Sequence, residues 1–280
     1  MKNMIITGAN SGVGLATSIA LARQNDRLIL LVRTQQKADQ TSAAILKVAP
    51  KAMLDFYLAD LTDLASVKKA ADAIKVKYTV IDRLINNAGY SPVGMSFTED
   101  GYEKSFVANH LGHFVLTLNL LDLLKASPES RVINVSSSAH SFGKADRIFK
   151  KNNTKLSDMQ AYGDGKLANI LFTKGLVAHT ANTSVTSYAL HPGVVSTNFG
   201  SDMKGFIKFV FMLFRPFMIS AEKGAETSIY LATTAIENIR DENGAYFIKS
   251  KPAATSNKDL NQENVSKLWS KSLAAAKGFI

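Results

Sequence analysis

Met4-Ile5-Ile6-Thr7-Gly8-Ala9-Asn10-Ser11-Gly12-Val13-Gly14 opens the chain and decides its fold. Met4–Thr7 is an apolar run of the kind that forms a buried strand. From Val13 to Arg23 the apolar residues Ala16, Ile19, Ala20 and Leu21 recur on a helical period. Three glycines lie between strand and helix. Gly8 permits a tight turn, Gly12 lets the backbone approach a pyrophosphate, and Gly14 allows close packing of the helix. The helix N-terminus adds free N–H groups and the positive end of a dipole. A plain strand-to-helix turn would read the same way, so the context on either side carries the dinucleotide reading.

Working outward, the strand–helix unit repeats. Strand Leu28–Val32 is followed by helix Lys37–Val48, strand Ala52–Leu58, helix Leu64–Lys77 and strand Val80–Asn86. A long helix over Tyr102–Lys125 precedes strand Arg131–Val135, and a helix over Ala161–Thr180 precedes strand Ser184–Leu190. Such alternation predicts an α/β fold, a Rossmann-type doubly wound parallel sheet with helices on both faces. No linker interrupts it, so residues 1–280 read as a single domain. The tail adds an apolar, aromatic stretch from Gly205 to Ile219, a helix near Ala221–Thr234, a short strand Ala245–Ile248 and a final helix over Asn261–Ala276.

Composition excludes several chemistries. The chain has no cysteine, which rules out disulfides, zinc–thiolate sites and a cysteine nucleophile. Hydrophobic residues make up 46% and charged residues 20%, enough apolar material for a substantial core. The N-terminal apolar run is too short for a signal peptide and no stretch is long enough to span a bilayer, so a cytoplasmic protein is expected. The net charge of +10 attracts anions, but no nucleic-acid motif accompanies it. The basic segment Lys144, Arg147, Lys150, Lys151 and Lys155 reads as a solvated surface loop. His110 and His113 lack an evident third ligand and read as a packed or interface pair; no metal site is expected.

Tyr162 and Lys166 stand four residues apart, which on a helix places them on one face. An ammonium beside a phenol favours phenolate, lowering a pKa that starts at ~10. That supplies a proton donor and acceptor usable near neutral pH. No other tyrosine of the chain has a lysine at this spacing.

These segments resemble the short-chain dehydrogenase/reductase family. The glycine spacing is its Gly-x-x-x-Gly-x-Gly, Asn86-Asn87-Ala88-Gly89 matches its strand-end motif, and His191-Pro192-Gly193-Val194-Val195-Ser196-Thr197 matches its Pro-Gly segment beside the nicotinamide. The resemblance implies cofactor contacts at Gly8, Asn10, Ser11, Gly12, Val13 and Gly14, and at Asn87, Ala88 and Gly89. It adds Asp60 and Leu61 near the adenine, Pro192, Gly193, Val195 and Thr197 near the nicotinamide, and Tyr162 and Lys166. It further implies a catalytic set of Asn109, Ser137, Tyr162 and Lys166. Ser137 would bond the substrate oxygen, with Ser138 as the alternative register, and Asn109 would hold a relay water.

Cofactor choice is read after the second strand, where NAD binding usually requires an acid. Arg33-Thr34-Gln35-Gln36-Lys37 offers none before Asp39. Arg33 suits a 2′-phosphate, so NADP(H) is expected; the alternative is a surface arginine at a strand end. Gly163 and Gly165, flanking Asp164, weaken the predicted helix. Either it starts near Gly165 or close packing demands the missing side chains.

Within the family, Thr98-Glu99-Asp100-Gly101-Tyr102-Glu103, Asn109-His110-Leu111-Gly112-His113-Phe114, Ser138-Ala139-His140 and Leu167-Ala168-Asn169 are most similar to the retinol dehydrogenase-like group. Phe206, Phe209, Phe211, Met212, Leu213, Phe214, Phe217 and Met218 crowd the segment that forms a substrate lid in this family, about residues 201–219. The expected activity is hydride transfer with a small lipophilic carbonyl or alcohol substrate, either in a carbonyl reductase or in an alcohol dehydrogenase. A protochlorophyllide reductase-like enzyme and a non-catalytic NADP-binding regulator or redox sensor are the alternatives. Lys208 and Arg215 would suit peripheral membrane contact. The helices around Asn109 and Tyr162 commonly pair between subunits in the family, which implies a homodimer or homotetramer.

Overall fold

The apolar strand residues divide by parity. Ile5, Ile29, Leu31, Leu84 and Val132 enter one layer of core. Met4, Ile6, Leu28, Leu30, Ile85, Ile133 and Leu190 enter the other. Successive strand side chains alternate faces, so strands apolar on both must be covered on both. The computed structural model describes residues 1–90, 94–195 and 218–280. Among them, β1 (Asn3–Thr7), β2 (Arg27–Val32), β3 (Met53–Leu58), β4 (Arg83–Asn86), β5 (Arg131–Val135), β6 (Thr186–His191), β7 (Tyr246–Ile248) and β8 (Lys251–Ala253) form one sheet. It has 8 strands in the order β3-β2-β1-β4-β5-β6-β7-β8. All neighbours are parallel except β7 and β8. The chain winds from β1 through β2 to β3, then crosses to β4 on the other side of β1. A crevice opens at such a reversal, outside the carboxyl ends of β1 and β4.

Helices α1 (Gly12–Ala22), α2 (Gln35–Leu46) and α8 (Ala221–Thr233) cover one face. Helices α3 (Leu64–Lys77), α5 (Gly112–Asn119), α7 (Asp158–His179) and α9 (Gln262–Ala275) cover the other. Side chains of Thr34, Asp63, Ser157, Ser220 and Asn261 accept bonds from first-turn N–H groups of α2, α3, α7, α8 and α9. These caps satisfy donors that helix geometry leaves unpaired.

The expected helix Tyr102–Lys125 is a broken run. It starts as α4 (Lys104–Phe106), capped by Glu103, and widens to a π-helical turn over Val107–Leu111. It continues as α5 and then α6 (Leu121–Lys125). Asn109 lies in the widened turn. The expected strand Val80–Asn86 shortens to β4: Ile81 N–H donates to Leu123 O, and Asp82 N–H meets Asn3 O at the start of β1. Strand β8 and the 3-10 turn Ser138–Phe142 were not expected from sequence.

α7 is buried on nearly all sides. Trp269 of α9 stacks on His179, with ring centroids 3.8 Å apart, and packs edge-on against Phe114 of α5 at 5.2 Å. A Cβ on Gly175 would sit 2.9 Å from the Trp269 ring, so the glycine admits α9 to this face. Part of the helix surface expected to meet a second subunit is therefore covered by the chain's own C-terminal helix.

At the opposite edge from the crevice, Arg83 and Arg131 begin β4 and β5 and are fully buried. They close the C-terminal end of α8. Arg83 Nε donates to Ala232 O at 2.7 Å, while Arg131 donates to Leu231 O at 2.7 Å and Thr234 O at 2.8 Å. Both guanidiniums share Glu129 Oε1, at 2.6 and 2.5 Å. Burial and the neighbouring Arg131 charge push Arg83 down to about 10. Replacing Arg131 with Met leaves helix-end carbonyls and the Glu129 carboxylate short of partners. Arg131→Met should lower unfolding free energy by about 3 kcal/mol in urea denaturation, since removing one member of a buried ionic network strands the rest.

Candidate active site

The turn after β1 takes the conformation its glycines allow. Gly8 and Gly12 have φ of 64° and 52°, in the left-handed region. A Cβ on Gly14 would lie 2.2 Å from Gly8 O and 2.4 Å from Asn87 Nδ2. Only glycine lets α1 approach that closely. Ser11, at the N-cap of α1, makes no side-chain capping bond, and no acidic residue occupies the first turn. Its N–H groups thus remain available at the mouth of the crevice, the donor set a pyrophosphate requires. The chain's own residues therefore suit a dinucleotide. Val13 and Val195 meet over Gly224 of α8, at 3.0 and 2.6 Å from its notional Cβ, bringing the β1 and β6 ends together.

Asn87 joins β4 to this turn. Its Nδ2 donates to Thr7 O at 2.9 Å, and the N–H groups of Asn87 and Ala88 donate to Thr7 Oγ1 at 3.0 and 2.9 Å. Gly89 carries the strand end past the centre of the site. A Cβ there would stand 3.3 Å from both Asn109 Oδ1 and Lys166 Nζ.

Asn109 is fully buried in the π-helical turn. Its Nδ2 donates to Tyr90 O and Ser105 O, each at 2.7 Å, and its Oδ1 accepts from Tyr90 N at 3.3 Å. The amide is thereby committed to the backbone. A polar residue unremarkable by propensity is what braces this irregular turn.

The carboxyl end of β5 is pinned to α7. Ser136 Oγ donates to Lys166 O at 2.7 Å, and Asn169 Nδ2 donates to Val135 O at 3.1 Å. Ser137 then begins the 3-10 turn, its Oγ accepting from Ala139 N at 3.2 Å. The Ser137 side chain lies near enough to the Tyr162 phenol to favour its ionised form. Ser138 instead faces solvent, its N–H donating to His191 Nδ1 at 3.3 Å. Of the two registers left open by the serine run, the geometry brings Ser137 to Tyr162.

The glycine question resolves in favour of packing. α7 starts at Asp158, upstream of both glycines, with a capping box from Ser157 and Gln160. A Cβ on Gly163 would lie 2.8 Å from Ala139 O, and one on Gly165 would lie 3.2 Å from Asn109 Cβ. The missing side chains bring α7 against both the serine turn and Asn109.

Electrostatics differ from the sequence expectation. Burial pushes the Tyr162 phenol up to about 12, and the Ser137 side chain pulls it partly back. Burial likewise pushes Lys166 down to about 7. Lys166 Nζ donates to Val135 O at 3.0 Å and lies 5.5 Å from the Tyr162 ring centre. Loss of water around the phenol, and not this lysine, sets the direction of the Tyr162 shift.

The basic segment is also more than a solvated loop. Arg147 grips Asp164 on α7 with Nε at 3.0 Å and Nη2 at 2.7 Å, and Lys144 N donates to the same carboxylate at 2.8 Å. Asp164 has 4% of its side chain exposed. This clamp fastens the connection between Ser137 and Tyr162 onto the helix that carries the tyrosine.

Arg33 leaves β2 exposed beside Thr34, Gln35, Gln36 and Lys37. Asp39, the first acid after the strand, accepts from Gln35 Nε2 at 2.7 Å. Asp60 Oδ1 accepts from Thr62 N at 2.9 Å and Thr62 Oγ1 at 2.7 Å, and buried Leu61 packs under Gly112. Asn10 sits half-buried within the glycine turn. Pro192 and Gly193 form the turn after β6, with Gly193 at φ 94°. Ile219 returns there, its N–H donating to Val194 O at 2.9 Å. Thr197 and the aromatic residues from Phe206 to Phe217 lie outside the described residues.

Sequence reasoning missed three groups. Thr7 Oγ1 and His113 Nε2 are 2.8 Å apart beneath the glycine turn. His140 Nδ1 donates to Ser137 O at 2.7 Å. Tyr246, next to the His140 ring at 5.0 Å, is held in its neutral form by burial and by the nearby Tyr162. His113 stands four residues after Asn109, a spacing that could have drawn attention to the pair.

The short chain dehydrogenase family model matches residues 2–205. Retinol dehydrogenase 12 of Mus musculus is 35% identical over 268 residues, spanning 96% of this chain and 84% of the relative. Retinol dehydrogenase 13 of Homo sapiens is 38% identical over 282 residues, spanning 97% and 83%. An uncharacterized protein from Mycobacterium Paratuberculosis has a solved structure with TM-score 0.78 and 30% identity, over 99% of this chain and 94% of that one. NADPH-bound carbonyl reductase from chicken fatty liver shares the fold, with TM-score 0.67 and 20% identity over 91% and 99% of the two chains.

Burial also holds two histidines neutral, His110 at about 3 and His113 at about 4. The unfolded chain protonates both below about pH 6.5 and the folded protein does not. Their contribution to stability is present above that pH and is lost as pH falls toward their folded values. The loss is on the order of 1.4 kcal/mol per pH unit for each histidine. Urea denaturation between about pH 7 and about pH 4.5 should show this decline, with a slope smaller by about one proton in His110→Gln.

Proposed function

The chain belongs to the short chain dehydrogenase family, and we propose that it transfers hydride between NADP(H) and an apolar aldehyde, ketone or alcohol. The family makes it an oxidoreductase of alcohol and carbonyl groups. The observation that carries the finer reading is the convergence of Ser137, Tyr162, Lys166 and Asn109 beside an uncapped, glycine-lined helix end. A bound nicotinamide supplies or accepts the hydride, and the chain's own residues handle the proton.

In the reductive direction, a phenol near 12 stays protonated at neutral pH and can donate to a substrate carbonyl oxygen. Ser137 accepts from Ala139 N, and its O–H, which favours the Tyr162 phenolate in the free protein, can turn to the substrate oxygen. It can stabilise the same oxygen as charge develops. Lys166, near 7, exchanges its proton at little cost around neutrality, and as an ammonium it favours the phenolate that alcohol oxidation requires. Asn109 braces the turn against which Gly89 and Gly165 pack.

NADP(H) is favoured by the bare cationic end of β2. Arg33 and Lys37 are exposed, and the nearest downstream acid is held by Gln35. The 2′-phosphate of NADP would gain charge-assisted bonds there, whereas the free hydroxyl of NAD would lack its usual carboxylate. A lipophilic substrate is supported by the resemblance in sequence to retinol dehydrogenases and by the return of Ile219 to the crevice beside Gly193. Among the described residues no helix is long and apolar enough to cross a membrane. A dimer would use helix surface that α9 leaves open.

Two measurements test this reading. Tyr162→Phe should reduce turnover of medium-chain and long-chain aldehydes by about 100-fold or more while leaving NADPH affinity within about twofold. Wild-type protein that quenches NADPH fluorescence yet oxidises none of it across such a panel would point to a binder instead. Arg33→Ala should weaken NADPH binding about tenfold or more and leave NADH nearly unchanged; a wild-type preference for NADH would refute the assignment.

A further inference from the structure

Thr7 Oγ1 sits at a junction whose proton positions can be worked out. It accepts from Asn87 N at 3.0 Å and Ala88 N at 2.9 Å, which occupies both lone pairs of the hydroxyl. Its own proton must go elsewhere. Ile85 O, at 3.5 Å, is beyond good hydrogen-bond range, and His113 Nε2 is at 2.8 Å. Nε2 must therefore accept, which leaves the ring proton on Nδ1. Nδ1 lies 3.1 Å from Asn109 O, an acceptor with no proton of its own. Both bonds call for the same neutral tautomer, and burial of the ring favours the neutral form.

The two ends of this chain of bonds differ in role. Thr7 ends β1 and also holds Asn87 through its main-chain oxygen, 2.9 Å from Nδ2. That fixes the glycine turn against the β4 end. Asn109 lies in the π-helical turn, packed on Gly165, with its side chain committed to Tyr90 and Ser105. His113 Nδ1–H thus bonds a carbonyl of the widened turn itself, Asn109 O.

We propose that His113 is a positioning residue: as the Nδ1–H tautomer it ties the Asn109 carbonyl to Thr7, so that the dinucleotide turn and the proton-handling end of the site are held by one continuous chain of hydrogen bonds. The inference rests on the proposed dinucleotide chemistry and adds to it a residue outside the expected catalytic set. His113 touches neither substrate nor cofactor and acts through Thr7 and Asn109.

The test has a spectroscopic arm and a variant arm. Imidazole 15N shifts of wild-type protein, without cofactor, should show His113 neutral with its proton on Nδ1 across about pH 5.5 to about pH 8. The opposite tautomer, or protonation within that range, overturns the proposal. In the second arm, NADPH dissociation constants and kcat are measured for His113→Phe, which keeps bulk and loses both bonds, and for Thr7→Val and Thr7→Ser. His113→Phe and Thr7→Val should each weaken NADPH binding and lower kcat, by about tenfold for the loss of a buried hydrogen bond. Their double variant should lose little more than either alone, and Thr7→Ser should recover most of what Thr7→Val loses.

A lower melting temperature with unchanged NADPH affinity and kcat would mean that His113 only supports the fold, and the proposal fails. If His113→Phe does not fold, the Thr7 pair and the wild-type spectrum still decide. Wild-type protein that binds no NADPH removes the functional reading and the proposal with it. Wild-type protein that binds NADPH alongside indifferent variants removes the proposal alone.

Discussion

The approach of Gly14 to Gly8 O is the constraint from which the crevice follows. A methyl group at Gly14 would overlap that carbonyl at 2.2 Å, so no side chain is tolerated. With both glycines bare, the first turn of α1 lies directly over the end of β1. Its N–H groups then face the crevice without a side chain to satisfy them. The strand order places this helix end at the reversal between β1 and β4, where Asn87 bonds across to Thr7 O. Backbone crowding, strand order and unpaired donors thus coincide at one point. A dinucleotide site needs all three, because a pyrophosphate must be reached by backbone and not by long side chains.

A second crowding positions the other half of the site. Gly163 and Gly165 let α7 touch the serine turn and the Asn109 turn, and α7 in turn is held from behind by α9. The helix gives up intrinsic stability of about 1 kcal/mol at each glycine relative to alanine. Tertiary contact outweighs that loss, since α7 is buried on the sheet side, on the serine-turn side and under Trp269. The Arg147–Asp164 clamp adds a bidentate bond between the loop and α7, midway between Tyr162 and Lys166. Side chains that handle protons are therefore mounted on an element with little freedom to shift.

Much of this was legible in the sequence because it depends on local pattern. Aliphatic runs such as Leu28–Val32 and the glycine spacing report strand and turn without any knowledge of partners, and both were read correctly. The strand-end Asn87 and the Tyr162–Lys166 spacing were likewise visible. What escaped reading depends on contacts between distant segments. The π-helical turn at Asn109 answers to Tyr90 and Gly165, not to propensity. Thr7 looked like an ordinary strand residue, and its pairing with His113 spans 106 positions. Arg147 looked solvated because Asp164 lies 17 residues further on. The short strand β8 carries Pro252, a residue that argues against a strand, yet it occupies a sheet edge where a missing N–H costs little.

Burial accounts for the feature that sequence reasoning placed at the centre and misjudged. A lysine four residues from a tyrosine suggests an acidified phenol, but water loss favours the neutral form of each group. It lifts Tyr162 to about 12 and lowers Lys166 to about 7. Both groups are then neutral over much of the physiological range, and a proton on Lys166 changes the balance by creating an ammonium close to the phenol. On the proposed chemistry the charge on Lys166 would bear on the phenolate form of Tyr162, and the two protons would be coupled. This coupling suits a reversible reaction. Reduction draws a proton from a reluctant phenol, and oxidation returns one to a phenolate that only a charged lysine can sustain. The Val135 carbonyl, 3.0 Å from Lys166 Nζ, accepts a hydrogen bond from either form of the amine. It therefore holds the side chain in place while the charge on it changes.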